Sequence, residues 1–197
     1  GFVKRTRNLP GVDRSVVGVD PAVASDVGSD ETGIMVVALG TDGNGYVLED
    51  GSDRMRPEEW ARKAIALYDK YDADRIVAEV NQGGEMVEAT IRAQAPGRTI
   101  PYRAVHATRG KVIRAEPIAS LYELGKVYHA DEFGNLEDQM CVFTTGFDRK
   151  AQGWSPDRVD ALVWGLTDLF PQMVKKKTPE TPIHIPSRQA LGASRRF

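Results

Sequence analysis

The stretch Arg14–Gly40, RSVVGVDPAVASDVGSDETGIMVVALG, holds two β-branched apolar runs separated by a polar loop. Val16–Asp20 and Gly33–Leu39 have the composition and flanking turn residues of short strands. The first ends on a carboxylate, Asp20, and Asp26, Asp30 and Glu31 follow before the chain turns apolar again. An unpaired charge taken out of water is costly, so a buried strand has no packing use for an acid at its end. Asp20 has two readings: the start of a turn into Pro21, or one member of a site. Asp26, Asp30 and Glu31 read as loop solvation, with a water-mediated metal contact as the alternative.

Outward from this stretch, GTDGNG (40–45) contains both Asp-Gly and Asn-Gly, a hairpin signal, so Tyr46–Asp50 becomes a third strand antiparallel to the second. Pro57 opens a helix where its missing N–H costs nothing, and Trp60, Ala64, Leu67, Tyr68 and Tyr71 recur at helical spacing as its buried stripe. Asp74–Val80 is compact and apolar, as a central parallel strand should be. Gly83 and Gly84, which let the backbone pass close to a site or substrate, introduce a helix to about Gln94. Ile100–Ala107 is a fifth strand, and Ile113–Leu124 another helix. Ser155–Phe170 is the last strong helix, with Ser155 as cap, Pro156 in its first position and Leu162, Trp164, Leu166 and Leu169 as core. This order predicts an α/β fold: a mixed central sheet with an antiparallel hairpin and parallel strands, and helices on both faces.

The chain of 197 residues has room for one good-sized domain, expected over residues 13–171. Residues 1–12 read as a linker remnant, and residues 172–197, rich in Pro, Lys and Arg, as a flexible tail. The net charge of −2 rules out a globally basic nucleic-acid binder, so any electropositive surface must be local. The single cysteine, Cys141, excludes an internal disulfide and a cysteine metal cluster, which favours a reducing cytoplasm. His106, His129 and His184 lack ligand spacing for zinc.

Asp20 is not the only acid in an apolar setting. Glu79 lies within the fourth strand, and Asp157 and Asp160, three residues apart, share a face of the last helix. Acids from three separate elements can converge only if something offsets their repulsion, and a hard divalent cation does so through oxygen ligands. Two such ions about 4 Å apart can activate water and stabilise the leaving oxygen of a phosphodiester. For Glu79 the alternative is a structural salt bridge; for Asp157 it is a favourable contact with the helix dipole.

These residues bring a family into view. VVGVDPA, RIVAEVNQGGEMV, TRGKVIRAEPIASLYELGKV and SPDRVDALVWGL, in this order between Asp13 and Phe170, resemble the C-terminal nuclease domain of tailed-phage terminase large subunits. The resemblance implies a ribonuclease H-like fold and a metal-dependent endonuclease that cuts concatemeric viral DNA during genome packaging with two divalent ions, Mg²⁺ or Mn²⁺. It places the family's acids on Asp20, Glu79 and Asp160. Many relatives have Asp at the position of Glu79, and Asp157 stands where some have His, which leaves its part in the ligand set open. The implied partners are double-stranded DNA and, in the full-length protein, an N-terminal ATPase motor, the small terminase subunit and the portal, in the cytoplasm of an infected bacterium and with no membrane. No G-x-x-x-x-G-K-[ST] occurs, so the motor is expected to lie outside this chain.

Arg109, Lys111 and Arg114, with Arg103 upstream, read either as a DNA-phosphate surface or as an ordinary solvated helix start. Lys175–Lys177 read as solubilising the tail, with a DNA or partner contact as the alternative. Three other functions remain to be weighed: a junction resolvase of the same fold, a non-catalytic DNA or portal docking module, and an actin-like sugar kinase. The kinase would need glycine-rich phosphate loops, which are absent.

Overall fold

A computed structural model describes residues 3–22, 31–80, 84–107, 110–143 and 155–174; Asp26, Asp30, Gly83, Arg109, Lys175–Lys177 and His184 lie outside them. Among the described residues, seven strands form one mixed sheet in the order β1-β7-β4-β3-β2-β5-β6. They are β1 (Lys4–Arg5), β2 (Val12–Asp20), β3 (Gly33–Gly40), β4 (Gly45–Asp50), β5 (Arg75–Glu79), β6 (Tyr102–Val105) and β7 (Val127–His129). The helices are α1 (Pro57–Lys70), α2 (Gly84–Gln94), α3 (Lys111–Glu123), α4 (Gly134–Val142), α5 (Asp157–Leu169) and the short α6 (Pro171–Val174). The antiparallel β2-β3-β4 meander and the parallel β2-β5-β6 set are those expected from the sequence.

Side-chain alternation along the strands decides which residues face which layer. Val17, Val19, Ile34, Val36, Ile76 and Ala78 pack against α1 and α2 on one face. Val16, Met35, Val37 and Val77 meet α3, α4 and α5 on the other. The same alternation puts Gly18 and Asp20 on the face of Val16, and Glu79 on that of Val77. Both strand acids therefore point toward the helix layer that contains α5.

α5 is buried nearly all round, as a helix in the middle of a layer should be. It approaches the sheet backbone closely because the sheet offers glycines beneath it. A methyl group at Gly18 would overlap the carbonyl oxygen of Ala161, and one at Gly33 would overlap that of Asp157. Gly33 is the ladder partner of Asp20, so the first turn of α5 rests directly beside the end of β2. The expected helix boundary shifts slightly: Pro156 is the N-cap without a side-chain bond, and the Ser155 hydroxyl instead accepts from Lys111 Nζ at 3.3 Å.

Four short elements were not expected: β1, β7, α4 and α6. The stretch read as a linker contributes β1, which pairs in parallel with β7 at the sheet edge, and Val12 already belongs to β2. Behind this edge, His129 is fully buried, with its Nε2 2.8 Å from the Tyr122 hydroxyl and Nδ1 3.1 Å from Glu137, which also pairs with Arg5. The carboxylate can only accept, so Nδ1 carries the proton and Nε2 accepts from tyrosine. Burial pushes the imidazole below its ordinary value of 6.5, against the pull of Glu137. Below about 6.5 the unfolded chain binds a proton that the native state resists, so this contribution to stability is complete above that pH and is lost as the pH falls toward the folded value. The thermal midpoint of His129→Gln, although lower throughout, is expected to fall less steeply than the parent's on acidification from pH 7. Parallel melting curves across that range would disprove this.

Candidate active site

Asp20 ends β2, Asp157 opens α5, and Asp160 lies one turn into it. One oxygen from each comes within 4.8 Å of the others. The grouping follows from the close seating of α5 on Gly33, which brings the helix N-terminus over the end of β2. Burial and then repulsion from Asp160 and Glu79 hold the Asp20 carboxyl well above the usual range. Burial also raises Asp160, against the cations of Lys111 and Arg114.

Glu79 is buried at the end of β5, beside this trio and outside it. One of its oxygens accepts from Trp164 Nε1 at 2.7 Å and from Arg114 at 3.3 Å. Arg114 also lies 3.8 Å from Asp160 and stacks over the Trp164 ring at 4.5 Å. Its Nε is buried without a hydrogen-bond partner among the described residues. Lys111 pairs with Asp160 from the open side. Among the described residues, Lys111 and Arg114 are the cations that face these carboxylates. All the clustered acids are hard oxygen donors, with neither sulfur nor imidazole among them. That donor set fits Mg²⁺ or Mn²⁺.

The expected basic surface is revised by this geometry. Arg114 is only 10% exposed and Lys111 36%, and both are turned onto the acids. The reason is electrostatic: α3 starts beside the ends of β2 and β5, and buried carboxylates draw the cations spaced one turn apart on it. Arg103 belongs elsewhere, bonded at 2.6 Å to Asp168 near the other end of α5. Arg109 is outside the described residues.

Two positioning groups were missed. Arg158, buried between Asp157 and Asp160 in sequence, bonds Asp50 and Glu31 at 2.5 Å each, and its N–H donates to Gln139 at 3.1 Å. This ties the first turn of α5 to β4, to the start of β3 and to α4. Glu31 therefore has a structural partner. Trp164, read only as core, is also the hydrogen-bond donor that orients Glu79. Arg158 could have been suspected as a cation inside an otherwise apolar helix face; the role of Trp164 had no local signal.

The fold is shared with solved structures at low identity. The large terminase nuclease of thermophilic phage G20c matches with 17% identity and a TM-score of 0.57, over 84% of this chain and 94% of that one. A mutant nuclease domain of the large terminase subunit gp2 of bacterial virus Sf6, with manganese and β-thujaplicinol, gives 16% and 0.60, over 79% and 88%. The yeast mitochondrial Holliday junction resolvase Ydc2 gives 13% and 0.50, over 85% and 82%. No curated protein matches the sequence. The mixed sheet with helices on both faces is therefore ribonuclease H-like. The sequence itself decides the family, since residues 17–169, from β2 through α5 and with all four acids, match the terminase RNaseH-like domain, and the chain belongs to that family.

Proposed function

We propose that this domain is a metal-dependent endonuclease that cuts concatemeric viral DNA during genome packaging. The observation that carries the reading is the convergence of Asp20, Asp157 and Asp160 at the junction of β2 and α5, with one oxygen of each within 4.8 Å of the others. Family membership supports the role in packaging, and the manganese-containing Sf6 domain supports the choice of ion.

Asp20, Asp157 and Asp160 would hold divalent ions, two by this reading, with Glu79 alongside. When bound, such ions supply acidity to activate water and positive charge to stabilise the departing 3′ oxygen. No protein nucleophile is required. Trp164 keeps Glu79 aimed at the cluster, and Arg158 fixes the first turn of α5, so the acids are held before any ligand arrives. Arg114, stacked on Trp164, balances Glu79 within the protein. Lys111, the more exposed cation, stands where a substrate phosphate would approach the carboxylates. Double-stranded DNA is the proposed substrate. An ATPase motor, the small terminase subunit and the portal are the proposed partners in the full-length protein, acting in the cytoplasm of an infected bacterium.

The test is to titrate the protein with Mn²⁺ by calorimetry and by thermal melting, and to assay plasmid cleavage with and without chelator. Ion at a hundredfold its dissociation constant should stabilise the protein by about 2.7 kcal/mol. Cleavage should require the ion and show no preference for four-way junctions. Preference for junctions would favour a resolvase, and failure to bind Mn²⁺ a docking module.

A further inference from the structure

The sheet-facing stripe of α5 carries acids at both ends. Asp157 and Asp160 begin it, Ala161 and Gly165 make the close approach to β2 and β3, and Asp168 ends it. Asp168 is 2% exposed and receives three guanidiniums: Arg103 at 2.6 Å, Arg14 at 3.1 Å and Arg75 at 3.8 Å. They come from β6, β2 and β5, three neighbouring strands of the sheet. None of the three pairs with another acid among the described residues.

This arrangement is not needed to neutralise one carboxylate. A single arginine would do that, and two more add mutual repulsion. Asp168 also lies in the last turn of its helix, where the dipole disfavours an anion. The side chains of Arg103, Arg14 and Arg75 remain 53%, 34% and 37% exposed, so all three stay open to solvent while they hold Asp168. The result is a surface with two positive charges in excess, held in place by a buried anion.

We propose that Arg14, Arg75 and Arg103 form a binding site for backbone phosphate of duplex DNA, remote from the carboxylate cluster and organised by Asp168. The proposal rests on the nuclease reading, because that reading supplies the ligand. Guanidinium forks match phosphate oxygens and carry no sequence preference. Eight residues of helix separate Asp160 from Asp168, about 12 Å along the axis. That distance spans three to four base pairs of duplex at about 3.4 Å each. The triad thus lies at the opposite end of the strands from the carboxylates, where it would hold the duplex away from the bond to be cut.

The test is fluorescence anisotropy with a labelled duplex of about two helical turns, with chelator present so that nothing is cut, over a series of salt concentrations. Arg103→Ala should weaken binding about tenfold and lower the salt slope by about one. Arg103→Lys, which keeps the charge, should retain the slope. Asp168→Asn removes the anion that organises the arginines and keeps their charge, so it should weaken binding while retaining the salt slope. Equal slopes for parent and Arg103→Ala overturn the proposal, whatever happens to stability. Equal slopes with lost affinity for a polyglutamate peptide would assign the triad to an acidic protein instead. A parent that binds no DNA would remove the nuclease reading as well, whereas a parent that binds while the variants match it removes only this site.

Discussion

Replacing Asp160 with asparagine is expected to reduce plasmid cleavage to background at any Mn²⁺ concentration while the protein stays folded. Asp160 is buried, and its carboxyl is raised by that burial even with Lys111 and Arg114 beside it. Its charge is thus a burden on the metal-free protein, and removing one of four clustered acids should leave the thermal midpoint unchanged or higher. Asp20→Asn should behave alike, since burial and three neighbouring acids raise Asp20 well above the usual range. Asp157→Ala should differ. It occupies the first turn of α5, where a carboxylate favours the free N–H groups whether or not an ion is present. That variant should lose some thermal stability and keep residual cleavage that high Mn²⁺ partly restores. Parental cutting by Asp160→Asn would refute its assignment, and the opposite ranking of the two α5 variants would exchange their roles.

A change that touches no charge is expected to be nearly as damaging. Gly33→Ala places a methyl group into the backbone carbonyl of Asp157 and 3.1 Å from the Ala161 side chain. Backbone cannot rotate away as a side chain can, so α5 must lift from the sheet. Overpacking of this kind costs about 1–3 kcal/mol, or a fall of roughly 3–10 °C in the thermal midpoint for a domain of this size. The same displacement draws Asp157 and Asp160 away from Asp20, so cleavage should fall more than stability at the assay temperature explains. Gly134→Ala is the control: a methyl there meets nothing within 4 Å. Gly33→Ala with parental melting and cutting would show that the close seating is not what assembles the site.

Much of this was legible because it depends on local pattern. β2, β3, β4, α1, β5, α2 and α3 each announced themselves by period or by turn chemistry, with boundaries off by a few residues. Asp20, Glu79 and Asp160 stood out because each is a charge beside apolar residues, and Asp157 because it shares a helix face with Asp160; strand alternation places Asp20 and Glu79 on one face. β1 and β7, with two and three residues, are too short to show a period. The partners of Lys111, Arg114 and Arg103 depend on which elements lie across from them, which no local window contains. For the same reason Arg103 was grouped with its sequence neighbours, although the sheet places it with Arg14 and Arg75. Ser155 was misread by a sound rule: a helix beginning Ser-Pro suggests a serine cap, but Lys111 engages the hydroxyl here.

The order in which the chain is made adds a consequence to the placement of α5. A ribosome releases β2 and β5, with Asp20 and Glu79, long before it reaches Asp157 and Asp160. Until α5 is synthesised and settles on Gly18 and Gly33, the nascent polypeptide holds two acids on a sheet face that has not yet received its covering helix. The carboxylate trio therefore comes into being only with the last large element of the core. On the nuclease reading, the domain would lack its carboxylate trio until that helix has been made and has settled on the sheet.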